Sequence, residues 1–144
     1  MSPEQIRFRR LDPAAVVPAA AHDGDAGLDL TAISAHVIEP GGRASVRTGL
    51  AVEIPPGHAG LVLPRSGLAA MHGIGLANAP GLIDAGYRGE IQILLLNAGA
   101  DDFRVENGMR IAQLMVVAVA PLEPVEAPAL SDSARGAAGF GSTG

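Results

Sequence analysis

The chain has 144 residues, a formal net charge of −5, no Cys, no Lys and ten Arg. That length suits one domain with a sizeable core, and the missing Cys excludes disulfides, thiol catalysis and thiolate metal sites. The negative charge argues against a nucleic-acid partner but leaves room for an anionic small molecule, because a site needs local cations rather than a basic protein.

In chain order, period-2 alternation dominates. Ile6 and Phe8 alternate with Arg7 and Arg9, and Leu28 and Leu30 with Asp29 and Thr31. Further strand-like runs cover Ala51–Ile54, Ala59–Leu63, Glu90–Leu96 and Arg110–Val119. Turn signals separate them: Glu39-Pro-Gly-Gly42, Pro55-Pro-Gly57, Ala85-Gly86 and Glu106-Asn-Gly108. Short strands punctuated this often predict an all-β sandwich, jelly roll or barrel. One short helix is expected over Ser66–Met71, with Ser66 as its N-cap. Beyond residue 120 the pattern changes. Pro121, Pro124 and Pro128 predict an extended linker, and the glycine-rich stretch Arg135–Gly144 follows it. The chain therefore divides into a β domain, residues 1–120, and a C-terminal arm, residues 121–144.

With 48% apolar residues but only 3% aromatic, the core must be aliphatic. A mean hydropathy of +0.28 is high for so small a chain, and a subunit interface is the simplest place to bury the excess. The longest apolar run, Leu114–Ala120, is too short to span a bilayer, and the N-terminus lacks a signal-peptide pattern. A soluble, cytoplasmic protein with no membrane partner is expected.

Several familiar chemistries drop out. His22, His36, His58 and His72 lie too far apart in sequence for a local zinc pair. Gly73-Ile-Gly75 lacks the third glycine of a dinucleotide fingerprint, Ser66 is not in a nucleophile elbow, and Gly139–Gly144 has no Lys and no helix after it. Five segments remain in which polar groups sit among apolar or glycine residues. Ala26-Gly-Leu-Asp-Leu30 places Asp29 mid-strand. Pro64-Arg-Ser-Gly-Leu-Ala69 joins the Arg65 cation, the Ser66 hydroxyl and the Gly67 amide, the parts of an anion nest. Gly81–Ile91 presents Asp84 and the chain's one Tyr, Tyr87, in a glycine-framed hairpin. Gly108–Val116 is core strand interrupted by Gln113. The arm supplies Arg135, Phe140, Ser142 and Thr143.

Together and in this order, the five segments resemble the five motifs of the trimeric dUTP pyrophosphatase family, and they stretch from Ala26 to Gly144. The resemblance implies a jelly-roll-like β subunit assembled as a homotrimer, with sites at the subunit junctions. Each site would draw its first, second and fourth motifs from one chain, its third from another and its arm from the remaining one. The implied activity is hydrolysis of dUTP to dUMP and pyrophosphate, which keeps uracil out of DNA and supplies dUMP for thymidylate synthesis. Asp84 is implied as general base on the attacking water. Arg65, Ser66, Gly67 and Gln113 would hold phosphates, and Mg2+ would sit on the triphosphate with Asp29 reaching it through water. Uracil would be read near Asn78 and Gln92. Tyr87 would pack on deoxyribose and exclude a 2′-hydroxyl, with Leu82 and Ile83 lining the pocket. Phe140 would stack on uracil, and Arg135, Ser142 and Thr143 would meet the γ-phosphate.

One departure from the family pattern is Ala138, at a place where the family has Gly. If that backbone needs a positive φ, Ala there costs the closed arm on the order of 1 kcal/mol. Two alternatives share the fold. One is dCTP deaminase, expected to carry a catalytic Glu where this chain has Leu94. The other is a non-catalytic, nucleotide-binding regulatory trimer.

Overall fold

Alternating aliphatic side chains and glycine-rich turns resolve into ten strands and one helix in the computed structural model, which describes residues 4–142. In chain order they are β1 (Arg7–Arg10), β2 (Leu28–Thr31), β3 (His36–Ile38), β4 (Arg43–Glu53), β5 (His58–Leu63), α1 (Ser66–His72), β6 (Ile74–Leu76), β7 (Gly81–Asp84), β8 (Glu90–Asn97), β9 (Phe103–Val105) and β10 (Arg110–Ala118). One four-stranded sheet runs β1-β4-β8-β6, a second runs β2-β10-β5-β7, and β3 pairs with β9. Every pairing is antiparallel.

Period-2 side chains explain the layering. Along β8, Ile91, Ile93 and Leu95 are buried while Gln92 and Leu94 point away. From the second sheet Leu30, Val62 and Leu114 meet Val46, Ile93 and Leu95 of the first in one cluster. The all-β, jelly-roll-like sandwich expected from sequence is the fold observed, and its core is aliphatic, with Phe103 the buried aromatic ring. No helix among the described residues is long and apolar enough to cross a membrane.

β4 is longer than the Ala51–Ile54 run, and it is not regular. Arg47 stands opposite Gln92 but Ala51 opposite Glu90, so the ladder slips between them. Gly49 takes φ +68 inside this bulge, in the left-handed region that glycine fills without strain. The slip adds two residues on β4 and so keeps the face: Val46, Thr48, Leu50 and Val52 all point inward, and each is buried.

Two local expectations need correction. The helix falls where expected, but Arg65 is its N-cap, extended at φ −89 and ψ 129 and with no side-chain capping bond. Ser66 is already the first helical residue, which leaves its hydroxyl free of a capping role. Gly81–Ile91 is not a hairpin either. β7 pairs with β5 in one sheet while β8 pairs with β4 and β6 in the other. The glycine-framed turn is instead the crossing from one layer to the next, closed by Tyr87 N–H donating to the Asp84 carbonyl at 3.0 Å.

The ordered ladder ends at β10, and the last tie to the body is Val119 N–H to the Gly57 carbonyl at 2.8 Å. Residues 121–142 form no helix or strand and are exposed almost throughout. Leu122, Val125, Leu130 and Phe140 are among the most exposed apolar side chains.

Candidate active site

Where the two sheets part at β7 and the start of β8, they leave a concavity of about 190 Å³. Val62 and Leu76 form part of its apolar lining, with Asn78, Leu82, Ile83, Asp84, Tyr87, Glu90 and Gln92 around it. The structure thus gathers Asn78, Leu82, Ile83, Asp84, Tyr87 and Gln92, six of the seven residues that the sequence assigned to the base, the sugar and the catalytic water; Phe140 is not among them. Asp84 ends β7 and is exposed, and among the described residues its carboxylate enters no ion pair. It is free to hold a water.

Tyr87 lies down rather than standing out. A Cβ placed on Gly89 would meet the Tyr87 hydroxyl oxygen at 2.5 Å and Cζ at 2.7 Å, so the ring rests directly on that glycine. Its hydroxyl donates to the Glu90 carbonyl at 2.9 Å. Ser45 donates to Gln92 Oε1 at 2.7 Å, tying that amide to β4.

A second group forms at the other end of the β2-β10-β5-β7 sheet. Gln113 on β10 faces Asp29 of β2 on one side and Leu63 of β5 on the other. Asp29 is flanked by Arg65 Nε at 3.5 Å and Arg110 Nη1 at 3.3 Å. Arg65 also donates to the Arg110 carbonyl at 3.2 Å, and Gln113 Nε2 to the Pro64 carbonyl at 2.9 Å. Gly27 leaves room for this amide, since a Cβ there would collide with Gln113 Oε1. Ser66 and Gly67 open α1, where the first amide N–H groups have no acceptor inside the helix. The cluster is half-buried, cationic and rich in donors, which suits an anion.

The two groups do not touch. Asp84 stands opposite Ala59, whereas Gln113 stands opposite Leu63, further along β5 and one strand beyond it. At about 3.3 Å per residue and about 4.8 Å per strand, their backbones lie roughly 16 Å apart. The arm joins neither group. Arg135 turns back on the arm itself, its Nε donating to the Ala138 carbonyl at 2.6 Å. Phe140 and Ser142 are exposed, and Thr143 lies outside the described residues. Ala138 carries no strain in this arrangement, because no residue other than Gly has a positive φ among those described.

The family model for dUTPase matches residues 14–144. The chain belongs to the dUTPase family. It is 53% identical to the deoxyuridine 5'-triphosphate nucleotidohydrolase of Thermobifida fusca strain YX, over 97% of this chain and 79% of that protein. To the enzyme of the same name from Clostridium acetobutylicum it is 48% identical, over 96% of each chain. Among solved structures it resembles the Staphylococcus bacteriophage 80alpha dUTPase in complex with dUPNHPP, with a TM-score of 0.90, 30% identity and 99% of both chains covered. The dUTPase of phage phi11 of S. aureus, described with a structural Mg(II) ion, matches at a TM-score of 0.82 and 26% identity over 88% of this chain and 98% of that one.

Reading the sequence alone missed three polar residues at these dUTPase groups. Arg110 shares Asp29 with Arg65, and its signal was a cation opening an otherwise apolar strand. Glu90 lines the concavity, immediately after the glycine that seats Tyr87. Arg47 grips Glu90 from β4, 43 residues earlier, and no local pattern announces it. The Glu90 carboxylate, by hydrogen bond and by charge, holds the Arg47 guanidinium above its ordinary range.

Proposed function

We propose that this chain hydrolyses dUTP to dUMP and pyrophosphate at sites completed between the subunits of a homotrimer. The observation that carries the reading is the concavity itself, where Asp84, in no ion pair among the described residues, and a Tyr87 laid flat on Gly89 share one rim. Uracil enters between β7 and β8, beside Asn78 and Gln92. Deoxyribose lies against Tyr87, where a 2′-hydroxyl meets the ring. Asp84 orients a water and accepts its proton as the oxygen bonds to the α-phosphorus. The bond from that phosphorus to the bridging oxygen breaks, and pyrophosphate leaves. A base so placed contributes about 10²–10⁴ in rate.

The phosphates are met by Arg65, Ser66, the Gly67 amide and Gln113, with charge-assisted bonds of about 1.5–3 kcal/mol each. Asp84 and this cluster must each come within about 3 Å of atoms on one triphosphate, and their separation in a single chain supports a junction site. The exposed apolar side chains of the arm support it too. In this reading Phe140 covers the base and Arg135, Ser142 and Thr143 meet the γ-phosphate. The substrate is a free nucleotide, and the cytoplasm is the compartment that fits it.

Mg2+ fits the residues present in one way. Among the described residues no three carboxylates or histidines group as a cage, and Asp29 is the one carboxylate in the phosphate cluster. A hydrated ion held mainly by phosphate oxygens, with Asp29 bonded to its waters, matches that donor set. When bound, the ion neutralises triphosphate charge.

A deaminase reading loses support at Leu94, which lines the concavity where an acid would have to shuttle protons. Asp84 and Tyr87 likewise favour an enzyme over a regulatory trimer. Pyrophosphate release from dUTP, compared with dCTP, dTTP and UTP, tests the assignment. Rapid turnover of dUTP alone is expected, and ammonia release from dCTP would overturn it.

A further inference from the structure

The slip in the β4–β8 ladder lies beside the concavity, and it aims a side chain. Thr48 Oγ1 donates to the Ile91 carbonyl at 2.6 Å and accepts from Leu50 N–H at 3.3 Å, so the hydroxyl satisfies groups that the bulge unpairs. Next to it, Arg47 reaches diagonally to Glu90 and forks over both carboxylate oxygens. Nε lies 3.2 Å from Oε1 and 3.1 Å from Oε2, while Nη2 lies 2.8 Å from Oε1. The Glu90 side chain is only 12% exposed and that of Arg47 49%. Planar two-pronged bonding of this kind fixes orientation as well as distance.

Glu90 matters because of its backbone. Its carbonyl accepts the Tyr87 hydroxyl at 2.9 Å, and the ring is otherwise 45% exposed. Where Glu90 sits therefore decides where the ring sits. We propose that Arg47, which lies outside all five motif segments, is a positioning residue for sugar selection: it fixes Glu90, whose carbonyl anchors Tyr87 against the 2′ position. The inference rests on the reading of Tyr87 as the group that excludes ribose. Arg47 touches no substrate in this arrangement.

The test is the ratio of kcat/KM for dUTP to that for UTP. Arg47 also neutralises a carboxylate near an anionic substrate, but loss of that charge effect changes both nucleotides alike and cancels in the ratio. Arg47→Met should lower the ratio about fivefold, the scale of one well-formed ion pair. Arg47→Lys, with charge but no fork, should recover part of it. In a Tyr87→Phe background, Arg47→Met should change the ratio no further, because the anchor is already gone. Glu90→Gln, a milder change should the Arg47 variants fold poorly, must move the ratio the same way. An unchanged ratio in Arg47→Met or Glu90→Gln overturns the inference, provided Tyr87→Ala lowers it; so does an equal effect of Arg47→Met with and without the Tyr87 hydroxyl. If Tyr87→Ala itself leaves the ratio unchanged, the sugar reading falls and this inference with it.

Discussion

Gly89→Ala adds one methyl group beneath Tyr87, in a space too small to hold it. Gly89 does not have a positive φ, so its backbone accepts Ala. The new Cβ would lie 2.5 Å from the hydroxyl oxygen, 2.7 Å from Cζ and 3.1 Å from Cε2 of Tyr87. Ordinary carbon contacts are about 3.5–4.0 Å, so the ring has to lift by about 1 Å. Lifting disrupts the 2.9 Å bond to the Glu90 carbonyl, a loss of about 0.5–1.5 kcal/mol. Replacing Gly also stiffens the unfolded chain, which returns about 0.4–1 kcal/mol. The two effects nearly cancel, and the melting temperature should barely move. Selectivity should move. A ~1 Å misplacement at a reacting site can cost about 10²-fold, and with the ring partly retained the dUTP-to-UTP ratio in kcat/KM should fall about tenfold. Pyrophosphate release from each nucleotide at low concentration gives the ratio, and a thermal melt gives the stability. A wild-type ratio in a folded Gly89→Ala protein would refute the link between the seat of Tyr87 and sugar choice.

Other perturbations separate chemistry, core and arm. Asp84→Asn should keep folding and dUTP affinity while lowering kcat at least ~10²-fold, measured by steady-state turnover beside equilibrium binding. Near-normal turnover would remove Asp84 from the mechanism. Gly60→Ala puts a Cβ 2.8 Å from Ile54 Cδ1, 3.0 Å from Leu114 Cδ1 and 3.3 Å from Ile83 Cβ. Denaturant unfolding at fixed protein concentration should show a loss of about 1–3 kcal/mol from overpacking. Deleting residues 135–144 should leave the melting temperature nearly intact, since the ladder ends at Ala118, while turnover drops sharply. Mixing that truncated chain with full-length Asp84→Asn should recover activity once subunit exchange is verified by mass spectrometry; exchange without recovery would assign each arm to its own chain's base.

Much of the fold was legible because aliphatic alternation is a strong signal when a strand is long enough to display it. β5, β8 and β10 lie within a residue of their sequence-predicted limits at each end. β3, β6 and β9 were invisible, since three residues each cannot establish a period. The first half of β4 was missed for a different reason: its exposed Arg43, Ser45 and Arg47 hide the apolar face, and the bulge at Gly49 then breaks the alternation. The glycine-framed segment reads as a hairpin locally, because turn chemistry does not say which partner each arm will pair with. That choice is tertiary. At the site, the motif residues could be named from order and resemblance. Their division into two groups could not, for it depends on which strand lies beside which.

That division bears on assembly. β5 holds both groups in place, with Asp84 registered to Ala59 at one end and Gln113 to Leu63 at the other. Bringing them together within one chain would mean sliding β7 or β10 along β5. A slip of one residue turns every core side chain outward, and a slip of two breaks the turns that end the strands. Hinge closure is equally poor as a remedy, because Asp84 and the Asp29–Gln113 pair belong to one hydrogen-bonded sheet. On the proposed reading, the missing half of each group therefore has to arrive from outside the β sandwich. The arm meets the need from one side, with its single ring, its single cation and exposed apolar residues in search of cover. On the proposed reading a neighbouring subunit meets it from the other, and the rigid sheet that keeps Asp84 apart from the Asp29–Arg65–Gln113 cluster is the reason for a site shared between chains.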